Sequence, residues 1–210
     1  MPRLMDLGLD RLNALLLDMA ALSQQAVSAS IDAYSKGSKG NEVREMSHRL
    51  RALHRQVSDL SMEMIARYQP VASDLRFLKA CMEISYGFFR YGRYALDITN
   101  VLDMFGDLSK CDKKFVVETA KKTQEMIRMS VEAFARRDVE MAHKIPEMDD
   151  IVDESYRKNL RQTIAKKGGD VQCALSSALI LRYLERIADH ASYIGESVEY
   201  IATGIEPKLD

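Results

Sequence analysis

The sequence predicts an all-α protein: a tandem duplication of a three-helix bundle, with six long antiparallel helices. Three observations carry this. Apolar residues recur at helical spacing almost everywhere, and no window alternates with period two over a strand's length. Helix formers dominate while Pro (4) and Gly (10) are scarce. The chain also resembles itself. Residues 74–100 align without a gap on 170–196, an offset of 96, with Asp74/Asp170, Ile84/Ile180, Arg90/Arg186, Ala95/Ala191 and Ile98/Ile194 identical. Residues near the start of each half align at an offset of 100, where Ala20/Ala120, Gln24/Gln124, Ser30/Ser130 and Ala33/Ala133 match.

The helix breaks follow in order. The first segment ends in Lys36-Gly37-Ser38-Lys39-Gly40 and the second at Gln69-Pro70. The third ends near 106–111 and the fourth at 136–138. The fifth stops at Lys166-Lys167-Gly168-Gly169, and the sixth runs to the C-terminus. Most segments are about 25–35 residues long, as in helical bundles. Pro146 lies inside the fifth and should kink it or start it late. The expected domains are 1–107 and 108–210, one bundle each.

Composition narrows the function. Of 210 residues, 47% are apolar and 29% charged, the balance of a globular protein. A net charge of −1 gives no basic field for nucleic acid or an anionic membrane. The apolar run at 12–17 is bracketed by Asp10, Arg11 and Asp18; it is too short to span a bilayer and lacks a signal pattern, so a cytoplasmic location is expected. Cys81, Cys111 and Cys173 form no CxxC pair, which predicts neither a disulfide framework nor a zinc site and suits a reducing compartment. The methionines, among them Met62, Met64, Met126 and Met129, read as adaptable core filler.

The candidate chemistry is acidic. Glu185 and Asp189 are i,i+4 neighbours on one helix face, continued by Ser192 and Glu196; Asp149 and Asp153 repeat the spacing on the preceding segment. Facing one another in a hairpin, the four carboxylates would suit a hard cation or a carboxylate-bridged iron cluster. Equally, Arg182 and Arg186, each three residues earlier, could hold Glu185 and Asp189 in surface ion pairs without function. In the upstream copy Phe89 stands for Glu185 and Arg93 for Asp189, so the acidic site belongs to the second half alone. His190, about 100° round the helix from Asp189, reads as a supporting or surface residue. A competing set is Glu45/His48 with Glu140/His143, two Glu-x-x-His motifs of the kind that build carboxylate di-iron oxidases or storage bundles. The segment around His48 also has some likeness to a histidine-kinase phospho-acceptor box, but it lacks the flanking acid and Pro. No Gly-rich phosphate loop, nucleophile elbow or Cys/His dyad is present, so the chain does not read as an enzyme.

Two stretches resemble a known family. Gln69-Pro70-Val71-Ala72-Ser73-Asp74-Leu75-Arg76 is similar to the junction between helices two and three of PhoU proteins, regulators of phosphate uptake. The run from Arg182 to Ala191, RYLERIADHA, is similar to the family's second signature, RYLERIGDHA. Ile194, Glu196, Val198, Tyr200 and 202–204 continue the likeness, and 149–156 resembles its acidic helix-two motif. The resemblance implies tandem three-helix bundles forming a homodimer. It implies a cytoplasmic, non-enzymatic adaptor between a phosphate ABC-transporter ATPase and a sensor kinase, reaching the membrane only through those partners. It further implies a cluster of iron or another divalent metal at paired (Glu/Asp)-x-x-x-Asp motifs, here Asp149/Asp153 and Glu185/Asp189. In the first half the corresponding positions are Ser47/Arg51 and Phe89/Arg93, and a guanidinium cannot ligate a cation. Asp97 and Tyr193 each replace an Asn one turn after the motif. Arg51, Arg90 and Arg93 could then form a face for anions or acidic partners, or pair with Asp97 and other local acids. A helical interaction module serving a different transporter is a further reading.

Overall fold

The computed structural model describes residues 4–165 and 168–205. Lys166 and Lys167, part of the expected fifth break, lie outside the described residues. The six long helices are α1 (Leu4–Lys36), α2 (Asn41–Tyr68), α3 (Ala72–Phe105), α4 (Lys114–Arg136), α6 (Ile145–Ala165) and α7 (Val171–Thr203); a single turn, α5 (Val139–Ala142), precedes α6. No strand occurs among the described residues.

Pro146 acts by starting its helix late. The fifth segment divides into α5 and α6, because proline is tolerated in a first turn where its missing N–H would have no partner. Asp138 caps α5 by accepting from Met141 N, and Asp170 caps α7 by accepting from Cys173 N. Gln69, Arg137 and Gly204 end α2, α4 and α7 in the left-handed region.

Helices α1, α2 and α3 pack pairwise as one bundle, α4, α6 and α7 as a second. The bundles meet most extensively along α3 and α7, with α1 also touching α4. One apolar cluster runs through both, from Leu12 and Leu16 on α1 through Leu50, Phe88 and Tyr91 to Leu184 and Ile187 on α7. The α3–α7 seam is tight at Gly87, where a Cβ would lie 2.9 Å from Ile194.

Three expectations need correction. The run at 12–17 is part of a 33-residue helix, and by length and composition Met5–Lys36 could cross a membrane. Half of its most apolar window is buried, however, with Leu12, Leu16 and Met19 in the core, which accounts for its hydropathy. Met62 is exposed rather than core, although Met64 and Met126 are buried. Most important, Cys111 and Cys173 form a disulfide with Cα atoms 5.4 Å apart. The turn at 108–111, closed by Cys111 N donating to Leu108 O, lies beside the first turn of α7. A partner 62 residues away leaves no spacing signal in the sequence. Only Cys81 is free among the described cysteines, and it is buried.

Candidate functional site

Helices α6 and α7 bring three of the four predicted acids together. Asp149, Asp153 and Asp189 each present a carboxylate oxygen, and these atoms lie within 4.8 Å of one another. Two oxygens on one hard cation, each at about 2.3–2.6 Å, are separated by at most about 5 Å, so the trio fits a shared ion. Glu185 lies outside this closest group but faces it electrostatically, since its carboxyl responds to Asp189 and Asp153.

The site is short of hydrogen-bond donors. Asp149 accepts from Ser192 Oγ at 3.0 Å through Oδ2, while its Oδ1, Asp153 Oδ1 and Glu185 Oε2 are buried without a hydrogen-bond partner. Leaving such oxygens unsatisfied is costly, and a cation would relieve it. Burial, then neighbouring carboxylates, push Glu185 up to about 7; for Asp149 burial leads again, Ser192 opposes, and the carboxyl still reaches about 6. Asp189 is also raised, mainly by burial.

The ion-pair reading holds in part at the same residues. Arg182 donates to Glu185, Arg186 lies 3.3 Å from Asp189 Oδ2, and Arg157 lies 3.0 Å from Asp153 Oδ2. These guanidiniums engage the outer oxygens. Arg186 Nε also lies 3.8 Å from Glu185 Oε2, an ion-pair distance beyond hydrogen-bond reach, so the arginine rim overlaps the donor-poor interior at Glu185.

The equivalent place in the first bundle is aromatic. Phe89 stacks on His54 with centroids 5.7 Å apart and planes 7° apart, and His54 Nδ1 is 2.9 Å from Ser85 Oγ. Arg93 pairs with Asp97 at 3.1 Å. The Arg90 guanidinium lies over the Tyr94 and Tyr86 rings and donates to Tyr94 Oη. Arg51 is exposed on α2 and Ser47 is buried. Two of the three arginines proposed as an anion face are therefore already engaged within the chain.

His190 lies across the seam among Tyr86, Tyr94 and Tyr193, where burial, with Arg90 and Arg186 adding to it, pushes it down to about 4. It is neutral at ordinary pH and held as an aromatic packing element. His54 and this ring cluster carried no sequence signal, because the partners come from α2, α3 and α7.

The di-iron alternative does not assemble. Glu45, His48, Glu140 and His143 are all exposed, and His143 pairs with Glu199 at 3.1 Å. Among the described residues only the aspartate trio forms a group of three or more candidate ligands. The late start of α6 leaves His143 at the end of α5, off any long helix.

Comparison with known proteins adds a whole-chain view. The PhoU domain description matches residues 16–102 and again 116–198, starting 100 residues apart (116 − 16) and ending 96 apart (198 − 102). A phosphate-specific transport system accessory protein PhoU homolog from Pseudomonas putida is 27% identical over 205 residues, covering 94% of this chain and 80% of that protein. Its counterpart from Synechocystis is 31% identical, covering 78% and 74%. The crystal structure of PhoU from Pseudomonas aeruginosa superposes with a TM-score of 0.88 at 27% identity, covering 95% of this chain and 99% of that one. The phosphate transport system regulatory protein PhoU from Streptococcus pneumoniae has the same fold, with a TM-score of 0.89 at 21% identity.

Proposed function

Since the chain belongs to the PhoU family, matched by its domain twice over, we propose that it is an accessory regulator of phosphate transport that works as a protein adaptor. The carrying observation is the full-length likeness, in sequence and in three dimensions, to phosphate-transport accessory and regulatory proteins. The partners would be the ATPase of a phosphate ABC transporter and a sensor kinase or equivalent regulator, met in the cytoplasm, with membrane contact only through them. Two three-helix units, 1–107 and 108–210, present long helix faces suited to such docking, and a homodimer would double them. No catalytic role is assigned to any residue.

Asp149, Asp153 and Asp189, with Glu185 alongside, would hold a divalent or ferric cation. Bound there, the ion would neutralise crowded carboxylates and, by binding only the folded chain, stabilise the α6–α7 pair. Arg182, Arg186 and Arg157 would orient the outer oxygens, and Ser192 would fix Asp149. The first bundle would hold no metal.

The adaptor role is tested in a host lacking its own accessory protein. Expression of this chain should restore repression of phosphate-starvation reporters at high phosphate, and the transporter ATPase should co-purify. A folded, expressed chain that does neither overturns the proposal. The metal is tested separately by mass spectrometry, comparing wild type with Asp149→Asn, Asp153→Asn, Glu185→Gln and Asp189→Asn combined. Metal retained equally by both would exclude this site.

A further inference from the structure

We propose that Cys111 and Cys173 form a reversible thiol–disulfide site, opened by a dithiol reductant, that governs how firmly the first turn of α7 is held against the connection between the bundles. This rests on the cytoplasmic setting proposed above, where disulfides are rare and those that occur are mostly transient or redox-sensing.

Access comes first. Both cysteines line an open cleft of about 710 Å3 between the turn at 108–112 and the start of α7. A thiol can therefore approach the bond, although Cys111 itself is only 8% exposed.

Cys173 is the third residue of α7, in the turn whose backbone amides carry the positive end of the helix dipole. That position favours a thiolate, making Cys173 a good leaving group. Asp170 nearby opposes this, but its carboxylate is paired with Lys110 at 2.8 Å. Cys81 offers no competing thiol, since burial pushes it up to about 12.

Besides the disulfide, the polar ties here include the Lys110–Asp170 pair, with both side chains largely exposed, and Gln172 Nε2 donating to Phe105 O and, at 3.4 Å, to Asp107 O. Val171 and Leu175 are 68% and 52% exposed, so little apolar burial anchors this turn. The covalent bond is the strongest link, and its loss would let the turn open locally.

In the exchange, a thiolate of the reductant attacks Cys111 Sγ; the S–S bond breaks and Cys173 leaves as a thiolate. The reductant's second thiol then attacks the mixed disulfide and Cys111 leaves. Two electrons pass to the protein, the two thiolates take up protons, and the reductant becomes a disulfide.

The test uses the purified full chain equilibrated in glutathione redox buffers and with reduced thioredoxin, read by intact mass and amide hydrogen exchange. The expected result is reversible gain of two hydrogens and exchange about tenfold faster at 171–176 in the reduced form, read at exchange times too short for the α3 core to exchange in either redox form. Cys173→Ser should exchange like reduced wild type under all buffers, and Cys81→Ser should still switch. The proposal fails if the bond resists thioredoxin, if the thiols never pair in oxidising buffer, or if exchange at 171–176 ignores the redox state. None of these readouts depends on transport regulation, so failure here leaves the adaptor role standing.

Discussion

At the scale of single residues, the acidic site makes a signed prediction about pH. Asp149 is held at about 6, above its ordinary 3.8. The folded state thus binds more protons than the unfolded state between those values, and stability falls as pH rises through the window. In chelator-treated protein at pH 7.5, Asp149→Asn should therefore stabilise, by about 1–2 kcal/mol after discounting for solvent screening, and the gain should vanish near pH 4. Urea titration at each pH measures this; destabilisation at pH 7.5 would contradict it. His190 works in the opposite direction. Held at about 4, it contributes stability above its unfolded value of 6.5 and loses it as pH falls toward 4. The comparison is therefore made between variant and wild type at each pH. Arg93 supports a second prediction. Arg93 is half exposed, but Asp97 is mostly buried and its carboxyl is raised by that burial, so Arg93→Ala, which leaves Asp97 short of a partner, should cost about 1–3 kcal/mol. Calorimetric titration with phosphate should be the same with and without Arg93; a binding signal lost in the variant would restore the anion face.

At the scale of elements, the helices differ most where they approach closely. Gly92 on α3 faces Leu50 on α2, and a Cβ there would lie 2.2 Å from Leu50 Cδ1. Leu50 is fully buried, so Gly92→Ala should destabilise by about 1–3 kcal/mol through overpacking despite alanine's better helix propensity. Chemical denaturation checks it, and a neutral or stabilising outcome would show that Leu50 can repack. The aligned position on α7 is Ala188, itself buried, so the two bundles do not share this clearance. Helix α6 is thinly anchored, with only Ile145 and Val152 fully buried. Its contact with α7 carries the crowded carboxylates, so cation binding should protect α6 amides first.

At the scale of the whole molecule, cation binding and stability are linked. A divalent ion at about one hundred times its dissociation constant should stabilise the chain by about 2.7 kcal/mol, and the combined acid variant should show none of it. Thermal melts over a series of metal concentrations decide, and equal shifts in both proteins would place the ion elsewhere. The disulfide closes a loop around all of α4, α5 and α6. In the chain-entropy model a 62-residue loop contributes about 4 kcal/mol, so reduction should lower global stability as well as freeing the turn.

The linear chain was enough to read the helices and the duplication, because both are written as local periodicity and as repeats at fixed offset. It also determined that the acids belong to the second half, since Phe89 and Arg93 stand in the other copy as plain substitutions. Spacing further placed Asp149 with Asp153 and Glu185 with Asp189 on helix faces, because i,i+4 geometry is local. Packing between helices makes Asp149, Asp153 and Asp189 converge while Glu185 stands slightly apart, because that depends on the register between α6 and α7. It alone exposed Met62, dispersed the Glu-x-x-His residues, stacked His54 on Phe89 and joined Cys111 to Cys173. Each of these pairings is long-range, and packing between helices fixes it where no local pattern can.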